Sequence, residues 1–315
     1  MKTALLLTGQ YRSFDTMYKY INNNFVIPND ATIFIYGEHF NEKDFENKFN
    51  ENNLGTIKIL KSCKTSEYNT IFKKINTKNF PELEKSEPNL YKYLQNTGQV
   101  LEYFQIMKCH QLMEEYEQVH NFKFDIVIKC RLDSSVAMPL YISNFFSKIN
   151  VDLLNKYGPY IYKISMGNEK LCAFYETIYG KRETNAAPIN NHKQILQEIN
   201  NEKCVWTFHT NMIWIFKRHI SDKLCNIIYK FGCWEPLTSE TQFVYYLQLH
   251  KIPQYCIFTK TDEKYTSSIK WDNESSYHKW KNNHNGKRLN DFKELTFDEP
   301  DLFLIRIRNG LPPWT

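Results

Sequence analysis

Two short apolar runs near the start of the chain, with one helical pattern between them, set the limits on the fold. Residues 3–8 form a continuous run centred on Ala4-Leu5-Leu6-Leu7, the pattern of a strand buried on both faces. Ser13 can cap a helix running through Phe14, Met17, Tyr18 and Ile21, whose apolar spacing is helical. Pro28-Asn29-Asp30 breaks that pattern, and Ala31–Tyr36 (ATIFIY) reads as a second buried strand. A strand–helix–strand unit of this kind closes as a right-handed parallel crossover.

The alternation continues. Thr56–Leu60 reads as a third strand. Residues 89–120 follow with a long helical pattern carrying Leu94, Leu101, Phe104, Met107, Leu112 and Tyr116, with Gly98 as a point of interruption. Phe124–Lys129 (FDIVIK) is another buried strand. Beyond Asp133 the pattern is less regular: 160–165 and 205–216 read as strands, 220–231 and 239–250 as helices, and 255–259 as a strand. The polar tail from Thr261 to Glu299 reads as loop, closing with a strand over 302–307. The expected fold is α/β: an open, mainly parallel or mixed sheet flanked by helices. No composition break divides residues 1–315, so a single domain is expected.

Composition removes several function classes. Hydrophobic residues make up 42% of the chain and aromatics 16%, which excludes a disordered or fibrous class. The net charge of +5 comes from scattered residues, whereas a nucleic-acid binder gathers its basic residues on one face, so no nucleic-acid partner is expected. The eight cysteines form no C-x-x-C pair, which fits reduced thiols in a cytoplasmic protein better than a zinc site. The first apolar run is too short for a secretory segment, and no stretch reaches the roughly 20 apolar residues of a membrane helix.

In an open α/β sheet, ligands gather at the C-terminal ends of the strands, near a switch in strand order. Two such ends carry polar clusters. The first strand leads into Thr8-Gly9-Gln10-Tyr11-Arg12. Gly9 lets the backbone approach a ligand, Gln10 suits a base edge or ribose, and Arg12 suits a phosphate. A tight turn with a solvent-facing arginine is the plainer reading. The strand 124–129 leads into Cys130-Arg131-Leu132-Asp133. A carboxylate there can hold a hard cation that shares its other sites with substrate phosphates. Arg131 can pair with a diphosphate or fix Asp133, and a structural Arg–Asp ion pair capping the strand is the alternative.

Those two segments, Ala4 to Arg12 and Phe124 to Asp133, resemble a group of glycosyltransferase-like proteins of bacterial polysaccharide loci and large DNA viruses. The group's pattern is a first strand entering G-Q-x-R and, after a long helix, a strand Y-D-x-V-I-R-x-R-x-D. This chain carries Phe124 for the tyrosine and Lys129 for the first arginine of that pattern. The resemblance implies a GT-A-like fold, with residues 1–135 binding nucleotide-sugar and metal and residues 136–315 binding the acceptor. It implies sugar transfer from a nucleotide-sugar donor to a hydroxyl of a glycan or glycoprotein. Donor-binding residues would be Thr8, Gly9, Gln10, Tyr11, Arg12 and Arg131. Asp133 would hold Mn²⁺ or Mg²⁺, with Arg131 replacing the first aspartate of the D-x-D metal motif.

An inverting transfer also needs a carboxylate to take the acceptor proton. Glu240, one residue after a helix-capping Ser239, is the first candidate and Glu235, beside Trp234 and Pro236, the second. Helix-dipole stabilisation alone also accounts for Glu240. His209, His278 and His284 are candidates for a late metal ligand, against the commoner role of a histidine as a surface or core residue. Trp206, Trp214, Trp234, Trp271 and Trp280 are candidates for stacking on sugar rings, the two in the 205–216 strand being expected in the core. No phosphate-binding G-x-x-x-x-G-K-[ST] loop and no G-x-G-x-x-G is present. Two rivals remain: a phosphoryl or sugar-phosphate transferase on a related sheet, without a P-loop, which would also use Asp133 and Arg12, and a transferase fold kept as a non-catalytic carbohydrate-binding or assembly module.

Overall fold

The computed structural model describes residues 1–11, 14–38, 41–43, 47, 57–62, 67, 81–86, 88, 98–136, 139–146, 161–166, 184–188, 203–208, 212–230, 239–257, 268–270 and 304–306. The first strand, β1 (Thr3–Gln10), is flanked on one side by β2 (Ala31–Glu38) and on the other by β4 (Ile126–Arg131), both parallel to it. Seven consecutive residues of β1 are buried, as the unbroken apolar run requires of a strand covered on both faces. The strand β3 (Ile57–Ser62) extends the sheet beyond β2, again parallel.

Among the described residues, the second half of the chain completes a nine-stranded sheet in the order β3-β2-β1-β4-β9-β8-β10-β6-β7. The further strands are β6 (Ile161–Met166), β7 (Thr184–Pro188), β8 (Val205–Phe208), β9 (Ile213–Lys217) and β10 (Gln254–Ile257). The antiparallel pairings of β9 with β4 and β8, and of β6 with β10 and β7, make those two strands run against the rest. The sheet is therefore mixed, with most of its strands pointing one way. Three further strands, β11 (Ser268–Lys270), β12 (Leu304–Arg306) and β5 (Ser134–Val136), form a separate small sheet.

Helix α1 (Phe14–Ile21) connects β1 to β2 and runs into a π-helical turn, Asn22–Val26. Pro28 sits in the short helix Ile27–Asn29, and the chain reverses at Asp30 with φ 45°. Helix α2 (Gly98–Val119) spans about 33 Å at 1.5 Å per residue. It covers the face of the sheet that carries Ala4, Leu6, Phe34, Tyr36, Val127, Trp214 and Phe216, burying Tyr103, Phe104, Met107 and Met113 against it. Each such side chain contributes about 1.5–3 kcal/mol by leaving water. A third helix, α3 (Ser239–Leu249), adds Phe243, whose ring stacks on Trp214 at 4.3 Å and 8°. Trp206 and Trp214 are both buried in the core. Among the described residues no helix is long and apolar enough to cross a membrane.

Two expectations change. Residues 205–216 are two strands, β8 and β9, paired antiparallel with Trp206 opposite Ile215. No glycine or proline marks the reversal between them, which is why the pattern reads as one long strand. The helical pattern over 220–231 is broken into a 3-10 turn (Arg218–Ile220), a short helix (Ser221–Cys225) and a second 3-10 turn (Ile227–Lys230). Ile220, Leu224, Ile227 and Ile228 still reach the core from those turns.

Candidate functional site

The sheet turns in opposite directions from β1: β2 and β3 lie to one side of it and β4 to the other. The switch in strand order thus falls between β1 and β4, and ligands of open α/β sheets bind outside the C-terminal ends of strands at such a point. Both polar clusters of the sequence meet there. Thr8 stands opposite Arg131 in the β1–β4 register, and the Leu132 N–H donates to the Thr8 carbonyl at 2.8 Å. Gly9 has φ 114°, a conformation that side chains with a Cβ rarely adopt. Gln10 Nε2 donates to Glu38 Oε2 at 3.2 Å, and the Tyr11 N–H donates to the Glu38 carbonyl at 3.0 Å, tying the turn to the end of β2. Thr8 is fully buried, and its hydroxyl has no hydrogen-bond partner among the described residues. Arg12 lies outside the described residues.

At the end of β4, strand alternation puts Lys129 and Arg131 on the face covered by α2, and Glu102 of α2 reaches both. Lys129 Nζ donates to Glu102 Oε1 at 2.5 Å, and Arg131 Nη1 donates to Glu102 Oε2 at 2.7 Å. Arg131 also forks onto Asp133, Nε to Oδ1 at 2.8 Å and Nη2 to Oδ2 at 3.2 Å. The Ser134 hydroxyl adds a 3.2 Å bond to Asp133 Oδ1. The result is a chain of alternating charge, Lys129–Glu102–Arg131–Asp133, that sums to zero. Its ends are buried, Lys129 at 0% and Asp133 at 2% exposure, whereas Arg131 at 14% and Glu102 at 13% reach towards solvent.

The electrostatics follow from that burial. Burial pulls the Lys129 ammonium below its ordinary range, with the Glu102 carboxylate opposing it. For Arg131, burial acts in the same direction, but Glu102 and Asp133 outweigh it and hold the guanidinium charged. Lys129 Nζ also lies 4.9 Å from the Trp214 ring centroid, a cation–π contact inside the core. Cys130, fully buried between them, is pushed up to about 12 by burial, which makes it an inert thiol.

Glu102 is the functional candidate that the sequence reading missed. It lies between the apolar Leu101 and the buried Tyr103 and Phe104, where a helix aimed at a sheet has little use for a carboxylate. That misplaced charge was its one local signal.

A second charged cluster sits farther along α2, about 22 Å from Glu102 at the level of Glu117. Arg218, just after β9, donates to Glu117, Glu114 (3.1 Å) and Asp222 (2.9 Å). His110 is fully buried, with Nε2 2.9 Å from the Ser221 hydroxyl and Nδ1 3.5 Å from Glu114. Burial drives the His110 pKa down to about 4, so the ring is neutral near pH 7. His110, Glu114 and Asp222 offer ligand atoms within 4.8 Å of one another, a group that could hold a metal ion. The Arg218 guanidinium already supplies the positive charge between its two carboxylates.

Ser239 and Glu240 open α3, and Glu235 lies outside the described residues. His209, His278, His284, Trp234, Trp271 and Trp280 also lie outside them. The strand β12 does return to the site: Arg306 pairs with Ser134 beside Asp133, in register with Lys270 of β11.

No family model matches the sequence. No curated protein matches it. Among solved structures the chain is similar to mouse xyloside xylosyltransferase 1 in its apo form, with 9% identity and a TM-score of 0.39, over 99% of this chain and 100% of that one. It is also similar to the apo-form glycosyltransferase GlyE of Streptococcus pneumoniae TIGR4, with 11% identity and a TM-score of 0.37, over 97% of this chain and 54% of that one. The chemistry of the site rests on its own residues.

Proposed function

We propose that this chain is a glycosyltransferase that binds a nucleotide-sugar where β1 and β4 diverge. One observation carries the reading: the Gly9 turn and the Arg131–Asp133 pair lie side by side at the switch in strand order. Thr8 to Arg12 would receive the nucleotide, with Arg131 facing the diphosphate. Asp133 and the neighbouring Ser134 hydroxyl offer hard oxygen donors of the type that Mg²⁺ and Mn²⁺ take. Such an ion would supply charge stabilisation of the leaving diphosphate. Residues 1–135 would then form the donor half and 136–315 the acceptor half of one domain, with Glu240 or Glu235 as the base of an inverting transfer. The donor is a nucleotide-sugar, and the acceptor a glycan or glycoprotein hydroxyl.

A second reading has one observation in its favour. Arg131 occupies both oxygens of Asp133, as a purely structural ion pair would. In that case the chain is a carbohydrate-binding or assembly module on a transferase fold.

Thermal unfolding with a panel of nucleoside diphosphates and nucleotide-sugars, with and without Mn²⁺, separates the two. A ligand present at a hundredfold excess over Kd stabilises the folded state by about 2.7 kcal/mol. The transferase reading expects a shift with one nucleotide that Mn²⁺ enlarges, and expects the Mn²⁺-dependent part to vanish in Asp133→Asn. Absence of any nucleotide shift would leave the binding-module reading in its place.

A further inference from the structure

The second charged cluster of α2 contains a buried acceptor with nothing to accept from. His110 is fully buried and neutral near pH 7, and its Nδ1 has no hydrogen-bond partner among the described residues. The hydrogen bonds at the other ring nitrogen assign the tautomer. The Ser221 hydroxyl donates to the Arg218 carbonyl at 2.7 Å and accepts from Arg218 Nη1 at 2.6 Å. With its one proton so used, Ser221 accepts from His110 Nε2, 2.9 Å away, and Nδ1 keeps a bare lone pair. Glu114 Oε2, also an acceptor, lies 3.5 Å from that lone pair. Arg218 bonds Glu114 through the other oxygen, Oε1, at 3.1 Å.

We infer that His110 Nδ1, Glu114 Oε2 and Asp222 form a binding site for one divalent transition-metal ion of the zinc class. It stands about 18 Å along α2 from Glu102 and is independent of the transferase reading. Spacing is the first reason. Two ligands of a tetrahedral zinc ion, each about 2.0–2.2 Å from it, lie about 3.3–3.5 Å apart, which is the separation of Nδ1 and Oε2. The two residues stand at i and i+4, on one face of the helix. A histidine that binds metal donates its other ring N–H to a fixed partner, as Nε2 does to Ser221. The ligand atoms of all three residues lie within 4.8 Å of one another, and the Asp222 side chain, 64% exposed, can turn to close the gap, with water as the fourth ligand. Charge is the second reason. Arg218 spends three of its described contacts on Glu117, where Lys123 adds its own charge, and gives Glu114 and Asp222 one contact each. Imidazole beside carboxylate selects zinc over magnesium or calcium. The ion would tie α2 to the turn that follows β9.

Calorimetric titration of the metal-stripped full chain with Zn²⁺ tests the site, and Co²⁺ as a stand-in reports the donors through its absorption. Wild type is expected to bind Zn²⁺, and its bound Co²⁺ to show the visible bands of a four-coordinate ion without the near-ultraviolet charge transfer of a thiolate ligand. Glu114→Gln and His110→Gln should each weaken binding by more than the roughly 10- to 100-fold that loss of an outer partner costs. Asp133→Asn should leave it unchanged. The Glu114 side chain is 31% exposed, so Glu114→Gln carries the test if His110→Gln fails to fold, as circular dichroism would report. Undiminished Zn²⁺ affinity in Glu114→Gln, a thiolate band with Co²⁺, or no binding by the folded wild type would overturn the site. Loss of binding in Asp133→Asn alone would assign the ion to the end of β4 and overturn it as well.

Discussion

Arg218 lies along Glu117 with Nε 2.8 Å and 3.1 Å from the two carboxylate oxygens and Nη2 2.8 Å from Oε2. The residue that follows β9 is thereby bonded to the last turns of α2, and the Glu117 carboxylate is fully buried. The arginine and the Phe124 N–H hold Glu117 below the usual carboxylate range, against the opposing effect of burial.

Arg218→Met should therefore cost about 3–5 kcal/mol, because it leaves a buried carboxylate short of its main counter-charge. Lys123 also reaches Glu117 at 2.8 Å, but its side chain is 61% exposed and cannot replace a buried guanidinium. Urea unfolding measures the loss. Adding Glu117→Gln to Arg218→Met should recover much of it, and an undiminished loss in the double variant would show that the charge was not the cause.

His110 sets a pH limit on stability. Its folded-state pKa is about 4, against 6.5 when unperturbed, chiefly through burial and then the Arg218 charge. Between those values the unfolded chain holds the extra proton and the folded chain does not, so stability falls as pH drops from 6.5 towards 4. The full difference is about 3 kcal/mol. Asp222 and Glu117, both held low by Arg218, add losses at more acidic pH. A pH series of unfolding midpoints should show a shallower decline over this window in His110→Gln than in wild type, and equal slopes would place the titration elsewhere.

Gly9→Ala should destabilise by about 1–3 kcal/mol through backbone conformation alone. Among the described residues a Cβ there would meet the Leu132 nitrogen at 3.8 Å, an ordinary van der Waals contact, so the cost comes from φ 114°. Calorimetric melting temperatures check this. A neutral result would mean that the turn relaxes to another conformation, which crystallography of the variant would reveal.

Trp214→Ala should cost about 3–5 kcal/mol, as expected for a fully buried indole replaced by a cavity. The loss combines the stack on Phe243, the tilted contact with Tyr103 at 5.9 Å and the ring face below Lys129. Trp214→Phe should keep most of the stability. If the two variants were equally damaged, the indole's contact with Lys129 would matter more than its volume.

The sequence by itself determined the strands β1, β2 and β4, because a strand buried on both faces must be apolar at every position and that signal is local. It likewise marked Gly9 and Asp133 as residues at strand ends, since a glycine leaving an apolar run and a carboxylate just past one are visible without any partner. The Arg131–Asp133 pair was also within reach of the sequence, but only tertiary structure decided which remote charges join such local pairs. Glu102 reaches Arg131 across 29 residues, and Arg218 reaches Glu117 across 101. Asp133 itself is held by Arg131, two residues before it, and the fold adds Glu102 at the other end of that arginine. The insertion of β9 antiparallel beside β4, and the return of residues 304–306 to Ser134, are equally absent from local periodicity. Periodicity reports which face of an element is buried. The order of elements in the sheet, which brings remote charges to one strand end, is fixed only when the chain closes on itself.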